Sequence, residues 1–288
     1  MENSPLITGR LLDGLSRIVP KDNDTYTGED GLLYCRRCNT KRQRWAGVEG
    51  LIEPRIVFCL CKCMKEADDQ EEARLKEREQ RLEINRYRSM GFPDREMLEW
   101  TFENMERFDD GATPHITNAM KAYVENFPEM RKSGKGLLLY GNVSTGKSFV
   151  AGCVVNALID KGYPCLMTSI PRMTNQILGM LEGKQEYIDS LSRFSLVAID
   201  DLGTERSNSE YMNEQMTAII DTLYRAKVPM IITSNYTPKQ LTEDCEIQKK
   251  RIYERLLERC HPVLVDCPSR RKQIGRKDFA EMNKLLGL

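Results

Sequence analysis

From Leu137 onward the chain alternates short apolar runs with longer amphipathic stretches. Leu137-Leu138-Leu139-Tyr140, Cys165-Leu166-Met167, Leu196-Val197-Ala198-Ile199, Met230-Ile231-Ile232 and Val263-Leu264-Val265 are continuous rather than alternating. Runs of that kind are buried strands, covered on both faces. Between them, residues 149–159, 170–181, 210–226 and 246–259 carry helical spacing, and 279–286 reads as a short final helix. In the third of these, Met212, Met216, Ile219, Ile220 and Leu223 fall on one face. Five strands alternating with helices predict an α/β domain with a largely parallel sheet.

The pattern changes upstream. Residues 65–88 are rich in Glu, Lys, Arg and Gln, with sparse apolar positions at Leu75, Leu82 and Ile84. This predicts a solvated connecting helix, ended by Gly91-Phe92-Pro93. Residues 120–130 show one short helical face that stops near Pro128. Residues 54–58 are strand-like, and residues 1–30 read as a loose polar arm. The expected division is therefore 1–64, 65–100 and 101–288.

The composition narrows the class. Of 288 residues, 40% are hydrophobic, enough for a core, and Lys+Arg and Asp+Glu both number 43. With no net charge, no global basic field points to nucleic acid, although a local patch is compatible with the totals. Residues 1–20 lack the apolar core of a signal peptide, and no apolar run approaches membrane-spanning length. A soluble, cytoplasmic protein is the expectation.

The most specific chemical signal is Gly141-Asn142-Val143-Ser144-Thr145-Gly146-Lys147-Ser148. It is a G-x-x-x-x-G-K-S loop, set between a predicted strand and a predicted helix as a phosphate-binding loop requires. The glycines let backbone N–H groups close around phosphates at a helix N-terminus. Lys147 would reach the terminal phosphates of ATP, and Ser148 would hold Mg2+. Downstream, the apolar strand ending at Ile199 runs into Asp200-Asp201. Asp200 suits Mg2+, and Asp201 suits orienting or deprotonating an attacking water. Asn235, after the next strand, either holds that water or merely opens the turn before Thr237-Pro238. Arg251, Arg255 and Arg259 share a helical face. They either pair with Glu254 and Glu258 or reach a phosphate in a neighbouring subunit.

Ten cysteines in a chain without disulfide-scaffold features point to thiols or a metal. Five lie between Cys35 and Cys63, as Cys35-x-x-Cys38 and, about twenty residues on, Cys59-x-Cys61-x-Cys63. Two thiolate pairs suit tetrahedral Zn2+. Cys35, Cys38, Cys61 and Cys63 are the favoured ligands, with Cys59 able to replace either of the last two. Five reduced, unliganded cysteines are the alternative; an iron–sulfur cluster is a further one, disfavoured because no usual cluster spacing is present. Between the pairs, Lys41-Arg42-Gln43-Arg44-Trp45 offers a protein-docking face, a single-stranded nucleic-acid contact, or a solvated run with Trp45 as local core. Cys153, Cys165, Cys245, Cys260 and Cys267 read as ordinary small apolar residues.

Together, residues 141–148, Ile199-Asp200-Asp201-Leu202-Gly203-Thr204-Glu205-Arg206, Thr233-Ser234-Asn235, residues 251–256 and Ser269-Arg270-Arg271 resemble the AAA+ ATPases of the DnaC-type helicase-loader group, in phage and bacteria, throughout 101–288. The resemblance implies a strand order of 5-1-4-3-2 with the phosphate loop on the central strand. It implies that Asn235 is sensor 1, that Arg255 is an arginine finger with Arg251 as fallback, and that Arg271 is sensor 2 with Arg270 beside it. It implies binding through the N-terminal region to a hexameric replicative helicase, placement of that helicase on single-stranded DNA, and a homo-oligomer or helicase-bound ring. Similar phage loaders also carry an N-terminal cysteine module. Many AAA+ proteins have Glu where this chain has Asp201, so slow, switch-like hydrolysis is expected, with Glu205 as a substitute. Two other readings stand beside this one: an IstB-type transposition helper ATPase, and a zinc-bearing nucleic-acid adaptor whose nucleotide site is structural.

Overall fold

A computed structural model describes residues 24–48, 52–106, 114–203, 210–243, 247–267, 279 and 282–286. The chain divides into two compact units, Met1–Gln80 and Arg81–Leu288.

In the first unit, β1 (Thr25–Thr27) pairs antiparallel with β2 (Leu33–Cys35), and β3 (Gln43–Val48) pairs antiparallel with β4 (Ile52–Phe58). Residues 25–27, expected in a loose arm, are thus a strand, whereas residues 1–23 lie outside the described residues. Helix α1 (Lys62–Gly91) begins three residues before the charged stretch suggested. The reason is a cap from far away in sequence: the Thr40 hydroxyl accepts the Lys62 N–H at 2.9 Å. Buried apolar residues are few here, chiefly Leu32, Cys35 and Cys61.

The second unit is a sheet covered on both faces. The last residues of α1 belong to it, with Ile84 and Tyr87 packed on its core. A 3-10 turn (Arg95–Glu99) and α2 (Phe102–Glu106) follow. Next come α3 (Pro114–Glu125) and α4 (Phe127–Ser133). Pro128 therefore opens a helix rather than stopping one, because a first-turn proline lacks only an N–H that the helix does not use. The sheet elements are then β5 (Gly136–Tyr140), α5 (Lys147–Asp160), β6 (Cys165–Ser169), α6 (Ile170–Leu178) and α7 (Lys184–Ser190). They continue with β7 (Leu196–Leu202), α8 (Glu210–Arg225), β8 (Met230–Ser234), α9 (Pro238–Glu243), α10 (Ile247–Arg259) and β9 (Cys260–Leu264).

The sheet order is β6-β7-β8-β5-β9, and its strand pairs are parallel. This is the anticipated 5-1-4-3-2 order, but the central strand is β8. The strand that feeds the phosphate loop, β5, lies one place further out, since among the described residues β9 alone flanks it on that side. Alternate residues of β5 serve opposite cores. Leu137 and Leu139 join Val150, Val154 and Leu158 of α5 on one face. Leu138 joins Ile170, Ile219, Leu223, Ile252 and Leu256 on the other. Burial on both faces explains the unbroken apolar runs.

Two further boundaries moved. The last strand starts at Cys260, not Val263. His261 and Pro262 hid it from the pattern; both are exposed, as a strand at the edge of the sheet permits. Helix α6 stops at Leu178 rather than residue 181, where Gly179 follows and Gly183 (φ 78°) opens α7. Phe279 and residues 282–286 are helical.

Candidate nucleotide site and cysteine cluster

The phosphate loop joins β5 to α5. Gly141 must be glycine, because a Cβ there would lie 2.5 Å from the Val265 carbonyl oxygen. Gly146 (φ 90°) caps α5 in a left-handed conformation that costs a side chain dearly. Ser144 is also left-handed (φ 68°), and the Thr145 hydroxyl donates to the Asn142 carbonyl at 3.0 Å. Val143 is exposed at the tip. Lys147 is buried, and its ammonium donates to the carbonyls of Gly141 (3.0 Å) and Asn142 (2.6 Å). A cation held inside a ring of backbone at the positive end of a helix is suited to a polyphosphate. Ser148, the second residue of α5, is half-buried beside it.

The C-terminal ends of parallel strands share one edge of a sheet, where ligands bind in open α/β folds. Here that edge carries the loop after Tyr140, then Ser234-Asn235, then Asp200-Asp201, in the order β5, β8, β7. Asp200 is half-buried, and its Oδ1 accepts from the Thr233 hydroxyl at 2.6 Å. Asp201 is exposed and left-handed (φ 55°), with its N–H donating to the same hydroxyl at 2.9 Å. Asn235 is half-buried just past β8. The structure thus brings the loop, both acids and Asn235 to one edge. In the sequence Thr233 stood out only as part of Thr233-Ser234-Asn235, with no role of its own. Its signal was two adjacent hydroxyls closing an otherwise apolar strand.

The arginines separate. Arg255 pairs with Asp221 of α8 and lies 6.0 Å from the Tyr224 ring centre. Arg259 stacks 4.7 Å from the same ring and donates to the Ser133 carbonyl at 3.1 Å. The partner of Arg255 is therefore on α8 rather than Glu254 or Glu258 of its own helix. Glu258 instead accepts from the Tyr224 hydroxyl at 2.8 Å. Arg251 is exposed. Arg270, Arg271 and Glu205 lie outside the described residues.

In the N-terminal unit the sulfurs of Cys35, Cys38, Cys61 and Cys63 all lie within 4.8 Å of one another. Cys63 is 3.7 Å from Cys35 and 3.4 Å from Cys61. A tetrahedral zinc with bonds of about 2.3 Å sets its sulfurs about 3.8 Å apart, so the donor set and spacing fit. Cys59 points elsewhere, its thiol donating to the Lys41 carbonyl at 3.4 Å. The Thr40 hydroxyl draws the Cys38 thiol down to about 5, while contact with the Cys61 sulfur and burial push Cys63 up to about 12. Arg42 is buried, directed at Cys61 and Met64. Trp45 is 61% exposed, not local core, and stands opposite Ile56 in the hairpin. Cys153, Cys165 and Cys260 are buried in the sheet unit, where burial raises the thiols of the latter two, while Cys267 is half-buried and Cys245 lies outside the described residues. Among the described residues no helix is long and apolar enough to cross a membrane.

Comparison with known proteins places these sites in context. The sequence profile of the family described as IstB-like ATP binding protein matches residues 69–278. The replicative helicase loader DnaI of Bacillus subtilis is 25% identical over 190 residues, 61% of this chain and 60% of the relative, so the match spans less than two thirds of that protein. An ATP-binding protein in an insertion sequence of Mycobacterium tuberculosis is 26% identical over 184 residues, 61% of this chain and 70% of the relative. A crystal structure of DnaI aligns with a TM-score of 0.52 at 22% identity, covering 62% of this chain and 96% of that one, which establishes a shared fold.

Proposed function

The chain belongs to the IstB-like ATP-binding protein family, and within it we propose an ATP-hydrolysing loader of a replicative helicase. The observation that carries this reading is the convergence of the Lys147 loop, Asp200-Asp201 and Asn235 on one sheet edge, in a chain that also bears a four-cysteine unit. The similarity to a protein named a replicative helicase loader supports the same direction.

When bound, ATP with Mg2+ supplies a cleavable terminal phosphate and a metal to neutralise its charge. Loop N–H groups and the α5 N-terminus bind the phosphates, and Lys147 supplies the cation at the terminal ones. Ser148 and Asp200 would hold the metal. Asp201 orients or deprotonates the attacking water, with Glu205 as its substitute, and Asn235 holds that water in line. A carboxylate one methylene shorter than Glu reaches less well, so turnover is slow and the protein acts as a switch. Arg271 serves the terminal phosphate within the chain. The cation offered to a neighbouring subunit is better assigned to Arg251 than to Arg255, because Asp221 already holds Arg255.

The three-part division at 1–64, 65–100 and 101–288 assigns the metal module, the linker and the ATPase. Cys35, Cys38, Cys61 and Cys63 would hold Zn2+, which ties the two hairpins to the first turn of α1. The exposed Trp45, Ile56 and Phe58 offer an apolar docking face for the helicase. Single-stranded DNA and a homo-oligomeric or helicase-bound ring complete the proposed assembly, in the cytoplasm.

Mixing the purified chain with the replicative helicase of its own cell tests the reading. ATP-dependent co-elution, and faster helicase placement on single-stranded DNA, are expected. Absence of any complex, with binding to a transposase instead, would favour the IstB-type helper, which the insertion-sequence relative keeps in view. ATP binding without hydrolysis, with or without single-stranded DNA, would favour the adaptor.

A further inference from the structure

We propose that Thr233 is the residue that positions Asp200 for metal binding, by a hydroxyl relay across the β7–β8 seam. The inference rests on the reading of Asp200 as a magnesium ligand.

Strand β7 breaks register with β8 between Ile199 and Leu202. The two residues inside that irregularity are Asp200 and Asp201, the acids assigned to metal and water. At a bulge the backbone loses its regular ladder partners, which must be replaced. Strand β8 replaces them with side chains. Thr233 Oγ1 accepts the Asp201 N–H at 2.9 Å and donates its proton to Asp200 Oδ1 at 2.6 Å. One residue on, the Ser234 hydroxyl donates to the Leu202 carbonyl at 2.8 Å and accepts the Tyr236 N–H at 3.1 Å. Thr233 and Ser234 are 1% and 0% exposed, so water does not compete for either hydroxyl.

The polarity of the relay is settled by its ends. A hydroxyl has one proton. Because the Asp201 N–H is itself a donor, the Thr233 proton is free to point at Asp200. Its acceptor there is a carboxylate oxygen, and a carboxylate is planar, so fixing Oδ1 fixes the direction of Oδ2. The same hydroxyl that accepts the N–H of the left-handed Asp201 therefore aims Asp200. Ser234 secures only the far side of the bulge. The two hydroxyls are adjacent in sequence and alike in chemistry but separate in role.

The test uses the full chain, a fluorescent ADP analogue and a magnesium titration. In the parent protein magnesium should tighten nucleotide binding, and D200N should abolish that gain. T233V should leave magnesium-free affinity within about twofold and raise the magnesium needed for half-saturation on the order of tenfold, the scale of a lost hydrogen bond to a charged group. T233S, which keeps the hydroxyl, should match the parent, and S234A should leave the magnesium response within about twofold. D200N/T233V should lose no more than D200N alone, because Thr233 acts through Asp200. If T233V does not fold, T233C replaces it, with a severalfold rise expected from its weaker donor. A parent-like magnesium response in the hydroxyl-deleted variant overturns the relay. So does a T233S protein impaired as much as T233V, which would make shape rather than the hydroxyl responsible. A D200N protein with a full magnesium response overturns the Asp200 reading and the relay with it, and is recognised by that variant alone.

Discussion

The two units of this chain solve the same stability problem by different means. The sheet unit buries a double core, with Leu137 and Leu139 facing α5 and Leu138 facing α8 and α10. Among its described residues the N-terminal unit buries few apolar side chains, and four of its cysteines crowd together where a core would be. Small units with little core need a staple. On the proposed reading, one unit draws its order from area removed from water, and the other from a metal held by its four sulfurs. Perturbations should therefore be separable.

The largest effect should come from the metal. Chelation, or C35S, should unfold the N-terminal unit, since structural zinc contributes about 10–16 kcal/mol in small modules at neutral pH. Protease sensitivity should spread through residues 24–61 while ATP binding by the sheet unit persists. One zinc per chain should be found by elemental analysis; a metal-free protein with the same protease resistance would end the comparison.

Lys147→Ala comes next. Removing the cation inside the loop should weaken ATP binding by about a hundredfold or more, judged by the strength of charge-assisted contacts, without lowering the melting temperature of either unit. Equal ATP affinity in a fluorescence titration would contradict the assignment.

A core truncation tests the other side. Leu139 is fully buried, and Leu139→Ala should cost about 2–5 kcal/mol in the denaturant unfolding of the sheet unit. The zinc content should not change. Loss of both together would show that the units are not independent.

The smallest effect separates two neighbouring arginines. Arg255→Ala breaks a partly exposed ion pair and should cost no more than about 1 kcal/mol of stability, with hydrolysis largely kept. Arg251→Ala should bind ATP normally but fail to hydrolyse it, and mixing it with Asp200→Asn protein should restore some turnover. The reverse pattern would return the role to Arg255.

Much of this molecule was legible in residue order, because its signals are local. Apolar runs mark doubly buried strands, glycines at fixed offsets mark the phosphate loop, and cysteine pairs mark a cluster. Strand order entered by resemblance, since periodicity carries no information about which strands lie side by side. What the sequence left open are contacts made across the fold. Residue spacing alone left Cys59 able to replace one of the last two sulfurs; the turn of the chain into α1 aims Cys61 and Cys63 inward and Cys59 at a carbonyl. Nothing local ties Arg255 to Asp221, or starts α1 with a hydroxyl from Thr40. The relay from Thr233 to Asp200 also exists only because two distant strands lie side by side with an irregularity between them. Local preference acts over a turn or two of chain. The aim of a side chain depends on which neighbour the packed structure supplies.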